Sequence, residues 1–143
     1  MNPSYPPAAQ LWQRWYQEMW IGEDEDAIDR MIAADAPLHF PGDARLTRPE
    51  LKAWCRAFLE RWDVIGAKVL DPIVQGDWVS VRTELTIRER SSGREVTVDG
   101  QQRAIVRDGM FREVWDCWSW ADAMERLGSL PQETVAHFLV PPV

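Results

Sequence analysis

The spacing of the apolar residues changes at Trp62, and this change limits the possible folds more than any other feature of the sequence. Before Trp62, apolar side chains recur every three or four residues, as they do on one face of a helix. After Trp62 they alternate with polar residues, as they do in strands, and turn residues separate the alternating segments. Helices that are followed by strands are typical of an α+β domain. We therefore expect helices that pack against an antiparallel sheet.

Three helices are predicted before Trp62. The first ends at Gly22, and its apolar stripe lies at positions 11, 12, 15, 16, 19 and 20. The acidic residues 23–26 favour the start of the second helix, because negative charge is stabilised at a helix N-terminus. The third begins at the capping-box pattern of Thr47 and Glu50. A short strand, 38–40, closed by Pro41 and Gly42, is predicted between the second and third helices.

The strands after Trp62 are predicted to form an antiparallel meander with turns at 75–77, 91–93 and 108–109. The last turn, Asp108-Gly109 between apolar segments, is the strongest short-range hairpin signal in the chain. The 143 residues suffice for one domain, 1–143. Within it we expect a loose lead-in over 1–7 and an irregular tail over 131–143.

Charge and composition exclude several classes of function. The net charge is −7 and there is no basic patch, which argues against a nucleic-acid partner. No apolar segment approaches the length of a membrane span, and the N-terminus lacks the features of an export signal. The two cysteines, Cys55 and Cys117, do not have metal-binding spacing. We expect a cytoplasmic protein without a metal, a nucleic-acid partner or a membrane partner.

The order of the elements and three local patterns resemble the SnoaL-like branch of the nuclear transport factor 2-like (NTF2-like) superfamily. The patterns are GDWVSVR at 76–82, RDGMFREVWD at 107–116 and RLGSLP at 126–131. The resemblance implies an NTF2-like cone, in which three N-terminal helices pack in a strongly curved antiparallel meander sheet. The superfamily includes polyketide cyclases, ketosteroid isomerase, limonene-type epoxide hydrolases and members without catalysis, so fold alone does not choose a reaction.

The resemblance implies two catalytic candidates, Asp116 and His39. Asp116 lies between Trp115 and Trp118 and matches the acid that cyclases of this family use for proton transfer. An apolar cavity raises the pKa of a carboxyl toward the working pH, which suits this role. His39 is the candidate second base or water-positioning group, because imidazole titrates in the useful range. Gln102 lies where the cyclases have a histidine, and it can anchor a carbonyl but cannot exchange a proton.

The other substrate-binding candidates are aromatic residues expected to form the cavity wall. They are Trp15, Tyr16, Trp54, Phe58 and Trp118. The catalytic tyrosine of ketosteroid isomerase aligns near Trp15, so Tyr16 is either a phenol donor, if the helix is slightly rotated, or a packing residue. The epoxide hydrolase pattern needs an Arg and an Asp on a meander strand, and the strand register places Thr83 and Leu85 there. We therefore expect an incomplete hydrolase triad.

Three functions remain open. The first is a cofactor-independent enzyme of the cyclase, isomerase or hydrolase type that acts on a small hydrophobic or aromatic molecule. The second is a non-catalytic module that binds a small ligand, and a cavity filled by tryptophan favours it. The third is a protein-interaction domain that uses the outer sheet face, where Trp78 and Trp120 are expected to be exposed. The resemblance also implies a homodimer through that face.

Overall fold

The computed structural model describes residues 1–40 and 45–140. The helices in these residues are α1 (Pro7–Trp15), α2 (Asp26–Met31), α3 (Arg48–Arg61), α4 (Trp120–Leu127) and α5 (Thr134–Leu139). The strands are β1 (Leu38–His39), β2 (Arg45–Leu46), β3 (Trp62–Gln75), β4 (Trp78–Glu89), β5 (Glu95–Arg107) and β6 (Met110–Trp118). The predicted α+β order is confirmed. The predicted turn at Pro41 and Gly42 lies outside the described residues.

The strands form one curved, unclosed sheet in the order β2-β1-β6-β5-β4-β3. The pairs among β3, β4, β5 and β6 are antiparallel, as the predicted meander requires. Two irregularities interrupt the β3–β4 register, and a third interrupts the β5–β6 register. Because bulges bend a strand and increase its twist, they favour the curvature of the sheet around the helices.

The predicted Asp-Gly hairpin joins β5 to β6. Asp108 and Gly109 have φ angles of 54° and 71°. Positive φ at both central residues is the requirement of the type I′ turn, which matches the twist of paired strands. Glycine adopts this conformation without a steric penalty, and aspartate tolerates it better than most residues.

The first helix continues past Trp15 as a π-helical segment, Tyr16–Ile21, and ends at Gly22 as predicted. The wider turn was not expected, because hydrophobic spacing does not distinguish it from an α-helical turn. Gly22 is required at this end, since a Cβ at this position would lie 2.6 Å from the Glu18 carbonyl oxygen. π-Helical turns occur frequently at functional sites.

Two expectations about the elements need correction. β1 pairs with β6 in parallel, so the sheet is not purely antiparallel. The tail is not wholly irregular, because α5 forms within it. The Thr134 hydroxyl donates a hydrogen bond to the Pro131 carbonyl oxygen at the start of that helix, over 2.6 Å.

The core lies between the concave face of the sheet and the first helices. Alternate residues of β4 point into it, and Val79, Thr83 and Ile87 are all at most 1% exposed. The opposite residues of the same strand, including Arg82 and Glu84, lie on the outer face. None of the described helices is both long and apolar enough to cross a bilayer.

Candidate active site

An aromatic hollow lies between the concave sheet face, the first helix and α3. The predicted residues Trp15, Tyr16, Trp54, Phe58 and Trp118 all line it. Among its described lining residues, Asp116 is the only one with a charged side chain. The hollow has an open volume of about 50 Å³. This is room for a few water molecules, since one water needs about 10–15 Å³ of such volume.

Asp116 is on the concave face of β6, next to Trp118 on the same face. The Trp118 Nε1–H donates a hydrogen bond of 2.8 Å to Asp116 Oδ2. Burial in the aromatic surroundings raises the pKa of the Asp116 carboxyl from 3.8 to about 6, although Trp118 and Gln102 both act to lower it. The side chain keeps partial exposure because it borders the hollow. Desolvation therefore exceeds the two stabilising contacts, and a carboxyl of this kind can gain or lose a proton near neutral pH.

Tyr16 lies beside Asp116 and is buried at 3% exposure. Burial raises the pKa of the Tyr16 phenol well above 10, the charge of Asp116 raises it further, and the nearby Thr83 hydroxyl lowers it. The phenol is therefore protonated at neutral pH and available as a donor. Of the two predicted roles for Tyr16, phenol donor or packing residue, the position next to the carboxyl is compatible with the first.

Gln102 is the direct neighbour of Asp116 across the β5–β6 pair. Its side chain is 1% exposed, and its Oε1 accepts a hydrogen bond of 2.7 Å from the Thr83 hydroxyl. Its Nε2 is buried and meets no acceptor in full hydrogen-bond geometry within the described residues. The amide still lowers the pKa of Asp116. The structure thus brings Gln102, Tyr16 and Asp116 together, with Thr83 between the first two.

His39 does not line this hollow, contrary to the expectation that its imidazole lies there beside the Asp116 carboxyl. His39 is the β1 partner of Trp115 on β6, and neighbouring residues of a strand point to opposite faces. His39 therefore lies on the outer face, where its Nε2 is 2.7 Å from Glu113 Oε1 and its ring stacks on Trp115 at 4.9 Å.

Of the two tryptophans that were expected on the outer face, only Trp78 lies there. Trp78 is 45% exposed there and stacks on Trp115 at 5.4 Å. The Arg103 guanidinium lies over both rings, at 5.6 Å and 4.6 Å from their centroids. Trp120 instead lines the hollow, because α4 begins there and turns its first residue inward.

Sequence reasoning missed two residues of the site, Thr83 and Gly100. Thr83 was considered only as an unsuitable hydrolase position. Gly100 lies on the concave face of β5, where a Cβ would come within 2.4 Å of the Trp118 ring and 2.5 Å of Gln102 Nε2. A glycine inside a strand is itself a signal of close approach, and it could have been used to predict this site.

The described residues offer no candidate metal site, and their buried thiol is protonated. They contain no group of three or more His, Cys, Asp or Glu side chains that could hold a metal ion. Both cysteines are free. Burial raises the pKa of the Cys55 thiol to about 12, so it is a poor nucleophile at neutral pH.

Comparison with solved structures supports the fold. TsrD from Streptomyces laurentii has a TM-score of 0.72 and 20% identity, over 91% of this chain and 99% of that chain. IdmH from Streptomyces antibioticus, provisionally assigned as a polyketide cyclase, has a TM-score of 0.73 and 22% identity over 87% and 99%. An LEH-like epoxide hydrolase from M. tuberculosis has a TM-score of 0.70 and 16% identity over 98% and 100%. At these identities the similarity shows a common fold, and it carries no information about a common activity.

Comparison by sequence shows the family. A search of curated proteins found no match. The profile of the SnoaL-like domain matches residues 12–114, which is more than half of the chain. The match ends two residues before Asp116, so a role for this carboxyl depends on its geometry. The chain belongs to the SnoaL-like domain family, which is the branch that its sequence patterns resemble.

Proposed function

We propose that this protein is a small-molecule enzyme of the SnoaL-like cyclase or isomerase type, and that Asp116 transfers the proton. One observation carries the proposal: the only charged side chain among the described residues of an aromatic hollow is a carboxyl whose pKa is about 6. Structural ion pairs also perturb pKa values, but this carboxyl has no cationic partner within the described residues, and desolvation dominates its shift.

The surroundings of Asp116 suit abstraction of a proton from a carbon acid. Above pH 6 the carboxylate is the base, and Trp118 holds one of its oxygens. Removal of a proton next to a carbonyl moves negative charge onto the carbonyl oxygen, which needs donors. The Tyr16 phenol and the Gln102 Nε2–H are the candidate donors. Return of the proton to another carbon of the enolate completes an isomerisation. In a ring closure, the enolate carbon instead attacks a second carbonyl carbon of the substrate, and Asp116 returns the proton to the alkoxide oxygen that this attack forms; neither reaction needs a cofactor.

The hollow selects a neutral, hydrophobic or aromatic substrate. Its wall is largely aromatic, and an anionic group next to Asp116 would be repelled. About 50 Å³ of open space is small compared with the roughly 300–1,000 Å³ of drug-sized sites. A substrate larger than a few atoms therefore enters only if rim side chains move. Trp54 is the best candidate for this motion, because it is 38% exposed while its ring stacks on Phe58.

The test is exchange of acidic carbon-bound hydrogen in D₂O. A panel of cyclic, aromatic and steroidal ketones is incubated with the protein, and deuterium uptake is followed by NMR. We expect exchange with at least one member, a rate that rises as Asp116 ionises near pH 6, and a loss of about 10²–10⁴-fold in Asp116→Asn. Glu113→Gln, on the outer face, is the matched control and should retain the rate. Equal exchange by the wild type and Asp116→Asn would refute the role of Asp116.

A second candidate function is ligand binding without catalysis. The observation that favours it is the aromatic filling of the hollow, which leaves little open space. In that case a hydrophobic ligand should quench tryptophan fluorescence in the wild type and in Asp116→Asn with similar affinity, and no ketone should exchange its hydrogen.

Epoxide hydrolysis is the less favoured alternative. The hydrolase positions on β4 carry Thr83 and Leu85, which are both buried on the concave face. The neighbouring Arg82 points away from the hollow and pairs with Asp71 over 3.1 Å. No described residue of the hollow is an arginine, so the pattern needed to activate water for epoxide opening is incomplete.

We also propose that two copies associate through the outer sheet face. The surface formed by Trp78, Trp115 and Arg103 presents stacked aromatic rings to solvent, and Ile73 nearby is 68% exposed. Aromatic residues and arginine are enriched at interfaces. Sedimentation should give a dimer for the wild type and a monomer for Trp78→Glu. A monomeric wild type at high protein concentration would contradict this proposal.

A further inference from the structure

Thr83 is buried at 0% exposure beside the candidate catalytic residues. Thr83 has no place in the proposed proton transfer, and nothing in its sequence context marks it. It is nevertheless one of only three polar or charged residues that are buried in the described part of the chain. A buried hydroxyl is destabilising unless it has a hydrogen-bond partner, so its partner indicates its role.

The side chain of Gln102 accepts the hydrogen bond of the Thr83 hydroxyl, and the Tyr16 phenol also lies near this hydroxyl. Thr83 Oγ1 lies 2.7 Å from Gln102 Oε1, although the two residues are not opposite each other in the sheet. Val81 is the β4 partner of Gln102, whereas Thr83 is the partner of Gly100. The contact is therefore a diagonal one between neighbouring strands. It forms because Gly100 has no side chain to fill the intervening space.

Gly100 and Thr83 together restrict the Gln102 amide. A Cβ at position 100 would lie 2.5 Å from Gln102 Nε2, so the amide occupies the space above the glycine. An amide has one acceptor end and one donor end, and in the structure the Thr83 hydroxyl donates to the acceptor end, Oε1. When the oxygen is bound to Thr83, the nitrogen is left for the neighbour on the other side. That neighbour across the strand pair is Asp116.

We propose that Thr83 is a positioning residue, whose hydroxyl orients the Gln102 amide so that its nitrogen faces the Asp116 carboxyl and the hollow. A flipped amide would place its oxygen against the carboxylate, where two acceptors repel each other. The inference rests on the proposed function for its consequence in catalysis, but the orientation of the amide can be tested without a substrate.

The titration of Asp116 reports this orientation. The amide nitrogen lowers the pKa of Asp116, so loss of the orientation should raise it. Two other titratable groups lie close enough for the charge of Asp116 to act on them, the Tyr16 phenol and the Cys55 thiol. Burial raises the pKa of both, to about 12 for Cys55 and well above 10 for Tyr16, so both remain neutral between pH 4 and 8. His39 lies on the other face of the sheet.

The experiment measures the pKa of Asp116 from its ¹³C carboxyl shift in five proteins: the wild type, Thr83→Val, Thr83→Ser, Gln102→Ala and the double variant Thr83→Val/Gln102→Ala. Valine keeps the shape of threonine without the hydroxyl, and serine keeps the hydroxyl. We expect Thr83→Val to raise the pKa of Asp116 by about 0.5 to 1, which is the size of one lost hydrogen bond, and Thr83→Ser to leave it unchanged. In the Gln102→Ala background, Thr83→Val should have no further effect.

Two results would overturn the proposal. One is a folded Thr83→Val variant with the wild-type pKa at Asp116. The other is an equal increase when Thr83→Val is made in the Gln102→Ala background, because Thr83 would then act without the amide. If Thr83→Val does not fold, Thr83→Ala is used in the same comparisons. These outcomes differ from failure of the proposed function, in which Asp116→Asn would leave hydrogen exchange unchanged whatever Thr83 does.

Discussion

Replacement of Asp116 by asparagine should change how the stability of the protein depends on pH. Asparagine has nearly the same shape as aspartic acid and cannot ionise. In the folded wild type the pKa of the Asp116 carboxyl is about 6, compared with an ordinary value of 3.8. The folded state therefore holds this proton more tightly than the unfolded state does. Well below pH 3.8 both states are protonated and the group has no effect on stability. Between pH 3.8 and about 6 the unfolded state ionises first, so the fold progressively loses stability, and above pH 6 the full loss is present.

The size of the effect follows from the two pKa values. One pKa unit corresponds to about 1.4 kcal/mol, so the wild type should lose about 2 to 3 kcal/mol relative to Asp116→Asn as the pH rises from 4 to 7. Each kcal/mol shifts the melting temperature by roughly 2–4 °C in a domain of this size. The difference in melting temperature should therefore change by about 4 to 12 °C over this range. New contacts of the asparagine amide would shift the stability of Asp116→Asn by an amount that does not depend on pH. They therefore do not affect the comparison of the two pH dependences.

The assay is thermal and urea unfolding of both proteins at several pH values between 4 and 7.5. Asp35→Asn is the matched control, because the Asp35 side chain is exposed. It should change stability by less than about 0.5 kcal/mol. Parallel curves for the wild type and Asp116→Asn would show that the carboxyl is solvated in the folded protein. The reasoning about the hollow would then be refuted, whereas the assignment of the fold would not be affected.

Three further predictions concern the surroundings of the site. Gly100→Ala should destabilise the protein by about 1–3 kcal/mol in urea unfolding, because its Cβ would lie 2.4 Å from the Trp118 ring. Gly66→Ala, where the nearest atom is 3.7 Å away, should cost much less, and equal effects would contradict the packing argument. Trp118→Phe should raise the pKa of Asp116 above 6 in a ¹³C titration, because the indole donor is lost, while Trp115→Phe on the outer face should not. Thr47→Ala should destabilise α3 by about 1 kcal/mol and Thr47→Ser should restore it; no loss would show that the capping box is not needed.

The prediction of the fold succeeded where long segments carried a clear period. α1 and α3 have apolar stripes, and β4 has strict alternation, so each element follows from its own residues. The same alternation correctly placed Thr83 and Leu85 on the buried face and Arg82 on the outer face. The Asp108-Gly109 turn was predictable because its two residues have few alternatives to the conformation that they adopt.

The prediction of the site failed for His39 for a physical reason. β1 has only two residues, so it contains no period from which its buried face can be inferred. The face is decided by the parallel pairing with β6, where His39 is the partner of Trp115. A shift of one residue in that pairing would turn the imidazole toward the hollow. The same limit explains Trp120, whose direction depends on where α4 begins.

The sequence alone determined the order of the elements, the curved α+β class with its last hairpin, and the presence of one acid between tryptophans on the final strand. These properties depend on residues that are close together in the chain. Only the tertiary structure decided which groups surround Asp116: Tyr16 from the first helix, Thr83 from β4 and Gln102 from β5. It also decided that aromatic side chains leave only about 50 Å³ open beside that acid. The reason is that register, bulges and packing between distant segments determine these contacts, and no local pattern records them.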